Sequence, residues 1–93
     1  MDTGIALQEF LEYVLHGLVQ KPEHIVIRHE ISGGKHIYNI GIDGEDVGCV
    51  IGRNGHMLSA IRSLAKAAAA RDGINVRLRV YQIGGEKDGE RVA

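Results

Sequence analysis

The sequence predicts a two-layer α+β domain, with elements in the order α-β-β-α-α-β and helices covering one face of a three-stranded sheet. Three observations carry this. Apolar residues recur at helical spacing over residues 4–19 and 56–71. Residues 74–81 alternate strictly between apolar and polar. Two apolar runs flank a Ser32-Gly33-Gly34-Lys35 turn, which reads as a hairpin. At 93 residues, the chain has room for one domain and one modest core.

Taken in order, Leu7, Phe10, Leu11, Val14, Leu15 and Leu18 would line one side of the first helix. Thr3 is its expected N-cap, and Pro22 disfavours helix beyond Gln20. Residues 24–31 and 36–42 form the two hairpin strands, with Ile25, Ile27 and Ile31 on one face. Asp43 is the expected cap of a short helix over 44–51, with Asp46 reaching back as in a capping box. Gly52-Arg53-Asn54-Gly55 then breaks the helix. In the helix over 56–71, Leu58, Ile61, Leu64, Ala65 and Ala68 are expected toward the core. In the last strand, Ile74, Val76, Leu78 and Val80 point one way, and Asn75, Arg77, Arg79 and Tyr81 the other. From Gly84 onward the chain is glycine-rich and charged. This divides it into a domain over residues 1–82 and a flexible tail over 83–93.

The net charge of −1 conceals an asymmetry. Residues 1–50 hold eight acids and three bases. Residues 51–82 hold six bases (Arg53, Arg62, Lys66, Arg71, Arg77 and Arg79) against the single acid Asp72. Such polarity suits a face built for an anion, although solvated surface charge is also compatible with it. With no Trp, one Phe and three Tyr, the chain is poorly equipped to read nucleic acid by stacking bases on aromatics. No apolar run approaches the length of a membrane span. The start Met1-Asp2-Thr3 lacks the basic patch of a signal peptide, and the lone Cys49 excludes an internal disulfide, so a reducing cytoplasm is the expected compartment.

The most informative stretch is Val50-Ile51-Gly52-Arg53-Asn54-Gly55-His56-Met57-Leu58. Two glycines between two helices let another backbone approach closely. The helix that follows presents free N–H groups and the positive end of its dipole. Arg53 adds a planar fork of donors suited to phosphate. The stretch resembles the V-I-G-x-x-G-x-x-I/L signature of KH domains, whose GXXG loop clamps a nucleic-acid backbone. The resemblance covers residues 3–82, and the element order is similar to the type II arrangement.

Within that class, Leu11-Glu12-Tyr13-Val14, Asp46-Val47-Gly48, Val50 to Gly55 and Ala60-Ile61-Arg62-Ser63-Leu64 are similar to the pattern of the small bacterial KhpA family. A basic residue is common there at the positions held here by Cys49 and His56, which lowers the charge beside the loop.

The resemblance implies a mixed sheet with the strand over 24–31 at its centre, the strand over 36–42 antiparallel on one side and the strand over 74–81 parallel on the other. It implies a non-catalytic protein that holds single-stranded RNA, acting as a post-transcriptional regulator or RNA chaperone with effects on cell envelope and shape. The residues it points to are Gly52, Arg53, Asn54, Gly55 and His56. It adds Val50, Ile51 and Leu58, which read first as core with partial exposure to the cleft as the alternative, and Arg77 and Arg79, which are equally explicable as solvated charge. The implied partners are a second copy of the chain and a larger KH protein of the KhpB/Jag type. A protein-interaction module with little RNA binding of its own is the alternative.

Other chemistries find no support. The five histidines (His16, His24, His29, His36 and His56) show no metal-ligand spacing, and no cofactor is expected. Asp43-Gly44-Glu45-Asp46 lacks the ligand pattern of a calcium loop, Gly34-Lys35 lacks the rest of a P-loop, and Cys49 reads as a small buried thiol. No acid-base or nucleophile constellation is visible, so an enzyme is not expected. The helix over 56–71 carries a second apolar stripe, Met57, Ala60, Leu64 and Ala67. Either the first helix covers it or a second copy does.

Overall fold

The computed structural model describes residues 2–93. Helix α1 (Thr3–Leu18) is followed by a 3₁₀ turn at Pro22–His24, then by strands β1 (Val26–Ser32) and β2 (Lys35–Asp43). Helix α2 (Val47–Ile51) and helix α3 (His56–Ala70) are two limbs of one bent helical segment, joined by a 3₁₀ turn over Arg53–Gly55. Strand β3 (Asn75–Ile83) completes the domain. The element order and the two layers are those the sequence predicts.

The sheet is mixed, but its centre is the second hairpin strand rather than the first. The order is β1-β2-β3, with β2 antiparallel to β1 and parallel to β3. The sequence contains the reason. In β2, Tyr38, Ile40 and Ile42 are buried on the helix side, and Ile37 and Gly41 are buried on the other. β1 carries exposed Arg28 and Glu30 and suits an edge. The bent helix supplies the crossover that a parallel β2–β3 pair requires.

Leu7, Leu11 and Leu15 of α1, Val50 of α2, and Leu58, Ile61, Ala65 and Ala69 of α3 pack on Leu78, Val80 and the β2 residues. Tyr38 donates its hydroxyl to the Gly4 carbonyl at 2.7 Å, which satisfies the one polar atom of the largest core side chain. The opposite sheet face is uncovered by helix. Its rows run Arg28–Asn39–Arg79 and Glu30–Ile37–Arg77 across the three strands.

Several local expectations are corrected. Asp2 caps α1 through the Ile5 N–H, while the Thr3 hydroxyl donates to Asp72. Asp43 does not cap a helix. Its carboxylate accepts from the Glu45 N–H at 2.9 Å in a tight turn, and α2 begins only at Val47. Asp46 forms no capping box. It is 2% exposed and accepts from the backbone N–H groups of Gln20 and Lys21, both at 3.0 Å. Those two donors lie past the end of α1 and would otherwise be unpaired. Leu64 and Ala68 are exposed, because α3 turns Ala65 and Ala69 to the core instead. Cys49 is also exposed, since the five-residue α2 buries Val50 as its one anchor.

The segment after β3, expected as a tail, is placed against the sheet. It turns at Gly84 and Gly85 and returns antiparallel along the outer edge of β3, bridging Tyr81 and Arg91. Val92 and Ala93 pack against the core. An open strand edge and a terminal apolar pair outweigh the polar composition of the stretch between them.

Candidate nucleic-acid interface

The loop between α2 and α3 has the backbone its glycines permit. Gly52 sits at φ 78°, where a Cβ would come within 2.5 Å of the Met57 Cβ. Asn54 lies in the left-handed region at φ 55°, ψ 24°, a conformation that asparagine tolerates better than most residues. Gly55 follows at φ 76° with open space around it. The turn is held by the Gly55 N–H to the Gly52 carbonyl at 3.2 Å. Arg53, Asn54 and His56 all project to solvent.

No side chain caps the start of α3. The His56 N–H donates to the Arg53 carbonyl and the Gly55 N–H to the Gly52 carbonyl, so what the helix start offers an anion is the positive end of its dipole beside the exposed Arg53.

Beyond the loop, a cleft of about 740 Å³ lies between α3 and the edge of β3. Lys35, Arg62, Lys66, Arg77 and Arg91 line it, and no carboxylate does. Arg62 lies roughly 9 Å along the α3 axis from His56 and about 120° around it, so the cleft begins on the β3 flank of the helix below the loop. Arg62 also donates to the Leu78 carbonyl at 3.2 Å, tying helix to strand across the cleft.

None of these five cations forms an ion pair among the described residues. The ion pairs gather at the opposite corner, where Lys21 meets Glu45 at 3.1 Å and Asp43 at 3.9 Å, and His24 meets Asp43 at 2.9 Å. There, the hydrogen bond to Glu45 raises the Lys21 pKa above its ordinary value. The Glu45 N–H and then His24 hold the Asp43 carboxyl below its own. Charge is thus neutralised at one end of the molecule and left open in the cleft.

The residues singled out by sequence separate into groups. Gly52, Arg53, Asn54, Gly55 and His56 form one exposed loop and helix start. Val50 and Leu58 are buried core, and Ile51 is half-buried beside them. Arg77 lines the cleft, whereas Arg79 lies over the uncovered sheet face with Arg28 and Asn39. Sequence reasoning counted Arg62 and Lys66 in the basic half but did not assign them to the site. Their spacing of four on one helix was the available signal. Lys35 and Arg91 gave none, because only the hairpin and the returning C-terminal segment carry them there. Among the described residues there is no group of three His, Cys, Asp or Glu placed to hold a metal, and no helix long and apolar enough to cross a membrane.

The family profile described as "KhpA/KhpB, KH domain" matches residues 8–80. The chain belongs to the KhpA/KhpB family of KH domains. A protein named RNA-binding protein KhpA from Chlamydia trachomatis is 33% identical over 76 residues, which is 82% of this chain and 97% of the relative. Proteins of the same name from Thermotoga maritima and Listeria monocytogenes are similar at 38% over 61 residues and 30% over 76 residues. These span 66% and 82% of this chain, and 81% and 100% of the relatives. No solved structure gives a significant match. The KhpA/KhpB match takes in the whole bent helix and its loop, and ends within β3, short of the returning segment.

Proposed function

We propose that the protein binds single-stranded RNA without catalysis, with the Gly52–Gly55 loop clamping the sugar-phosphate backbone and the α3–β3 cleft receiving the strand that leads from it. The observation that carries this reading is a cleft with five cations, no carboxylate and no ion pair, walled by the same helix whose start carries the glycine loop. The names of its relatives point the same way. The aromatics stand elsewhere: Tyr38 is in the core, Tyr13 on the surface of α1 and Tyr81 over the uncovered sheet face. Binding should therefore be weak, led by the backbone and only loosely selective for sequence. Such a protein suits post-transcriptional regulation or RNA chaperoning in the cytoplasm.

The test is the double variant Arg53→Asp with Asn54→Asp. Both side chains are exposed, and aspartate tolerates the left-handed conformation at position 54. Circular dichroism should be unchanged while RNA affinity falls at least about tenfold. Unchanged affinity in a folded double variant would reject the clamp.

A second reading, self-association, is favoured by the other flank of α3. Leu64 is 58% exposed and Met57 39% exposed, and α1 does not cover them. Leu64, Ala68, Phe10, Ala6 and Leu7 line an apolar groove of about 410 Å³ between α1 and α3. The small alanines permit close helix approach, so the groove suits a twofold-related copy, or a KhpB/Jag-type partner in exchange for it.

A further inference from the structure

We propose that the C-terminal returning segment is part of the nucleic-acid site, with Arg91 as a phosphate-binding residue at the outer wall of the cleft; the inference rests on the RNA-binding reading above. The segment lies outside the stretch that matches the family, so its contribution belongs to this chain's own sequence.

Its placement is built by backbone bonds. Asp88 accepts from the Gly84 N–H at 2.7 Å and closes the turn. The Gly89 N–H then donates to the Gln82 carbonyl at 2.7 Å, and the Gln82 N–H to the Glu90 carbonyl at 2.9 Å. The Val92 N–H donates to the Val80 carbonyl at 2.8 Å, and the Val80 N–H to the Ala93 carbonyl at 3.1 Å. These bonds use the outward-facing groups of β3 at Val80 and Gln82. By strand alternation the same edge continues through Leu78 and Val76, where the cleft opens. The docked residues therefore border the cleft.

Val92 faces the core side, and its neighbour Arg91 is left exposed on the cleft rim beside Arg77. The Arg91 Nε donates to the Ala93 carbonyl at 3.2 Å, which steadies the stem and leaves the terminal nitrogens of the guanidinium for a ligand. Four N–H donors on those two nitrogens, held on the rim with no carboxylate lining the same cleft, fit a phosphodiester. Arg62 and Lys66 present their cations from α3 across the strand edge, so a phosphate chain lying on that edge has positive charge on both sides.

The experiment measures binding of a single-stranded oligouridylate to the full chain across a salt series, for the wild type, Arg91→Gln, Arg91→Lys and the Arg53→Asp/Asn54→Asp reference. Arg91→Gln should lose about threefold to tenfold in affinity at low salt, and the slope of log K against log salt should flatten by about 0.7, the worth of one phosphate contact on a single strand. Arg91→Lys should keep the wild-type slope. If Arg91→Gln binds as wild type while the loop variant has lost binding, the inference is overturned and the RNA-binding reading stands. If Arg91→Lys falls as far as Arg91→Gln, the side chain acts through packing, and the inference is again overturned. Tighter binding by Arg91→Gln would mark the segment as an obstruction, which also overturns it. Salt-independent or absent binding by the wild type would reject the parent reading itself.

Discussion

On its β3 side, helix α3 faces a cleft of about 740 Å³ whose charged lining is entirely cationic. On its α1 side, it faces a groove of about 410 Å³ whose floor is Leu7, Phe10, Leu64 and Ala68. Both are open, and both are walled by the same fifteen-residue helix. The difference arises from which residues follow one another at steps of three and four. Arg62 and Lys66 fall on one flank, Leu64 and Ala68 on the other, and Ile61, Ala65 and Ala69 between them in the core. One helix thus separates a surface for a polyanion from a surface for an apolar partner. Occupation of one should leave the other free.

The largest effect should come from reversing charge on the cationic flank. Lys66→Glu combined with Arg77→Glu alters two exposed residues without touching the core. RNA affinity should fall about a hundredfold, and the salt slope should flatten by about 1.4. The oligomeric state, read by light scattering, should not move. If association fell with RNA binding, the two flanks would not be independent.

The next effect bears on the corner where the exit of α1 meets α2, away from both grooves. Asp46 joins the exit of α1 to the start of α2 by accepting two backbone N–H groups. Asp46→Ala leaves both without their acceptor and should cost about 2 kcal/mol, or about 10 °C in melting temperature for a domain of this size. Asp46→Asn keeps one acceptor oxygen and should lose about half as much. Thermal denaturation checks both. A variant that melts as wild type would mean that water replaces the carboxylate, and that the corner is not what holds α1 against the bent helix.

Much of this was legible in the sequence, and the exceptions share a cause. Periodicity sufficed for α1, α3 and β3 because each has one apolar side. The loop was legible because Gly52 and Gly55 stand inside the whole Val50–Leu58 signature; a bare pair of glycines with that spacing is more often only a helix–helix turn. Strand order was not, because periodicity describes a strand's faces and is silent about its neighbours. The central place of β2 depends on Ile37 and Gly41 being buried opposite Tyr38 and Ile40. The cleft was half legible. Arg62 and Lys66 stood in the basic half, but Lys35 and Arg91 reach it only through tertiary pairing. Composition misled for the C-terminal segment, where glycine and charge outnumber the two apolar residues that dock. Capping rules misled at Asp43 and Asp46, because they consider only the helix that follows a carboxylate. Here Asp46 serves the helix that came before it in the chain.

A smaller effect is expected from Leu64→Lys on the apolar flank. Leu64 is already 58% exposed, so the variant should fold and melt close to wild type. Self-association should weaken about tenfold, as for loss of a central apolar residue at an interface, and RNA affinity per chain should be unchanged. A wild-type chain that stays monomeric at high micromolar concentration would remove the homodimer outright. An unfolded Leu64→Lys variant would contradict the exposure on which the groove rests.

The smallest expected effect is a pH dependence confined to the α1 side. The His29 Nε2 lies 2.8 Å from the His36 Nδ1, and the His29 ring stacks on His36 and Tyr38 with centroids 4.9 and 4.4 Å apart. The start of α1 rests on this stack: a Cβ on Gly4 would come within 2.8 Å of His29, and Tyr38 bonds the Gly4 carbonyl. Burial, and then the charge of His36, lower the His29 pKa below its ordinary value of 6.5, while Asp2 opposes them. The unfolded chain therefore takes up this proton at a higher pH than the folded one. Stability from the neutral stack is complete above about pH 6.5 and declines as pH falls below it toward the folded value. The melting temperature should hold steady above neutrality and drop by a few degrees toward pH 5, and His29→Gln should flatten most of that drop. Hydrogen exchange should localise the loss to the first turns of α1, leaving the amides of α3 and β3 protected. Acid would then loosen the wall of the apolar groove while the cationic cleft keeps its shape. An equal rise in exchange on both flanks of α3 would show instead that the domain opens as one unit.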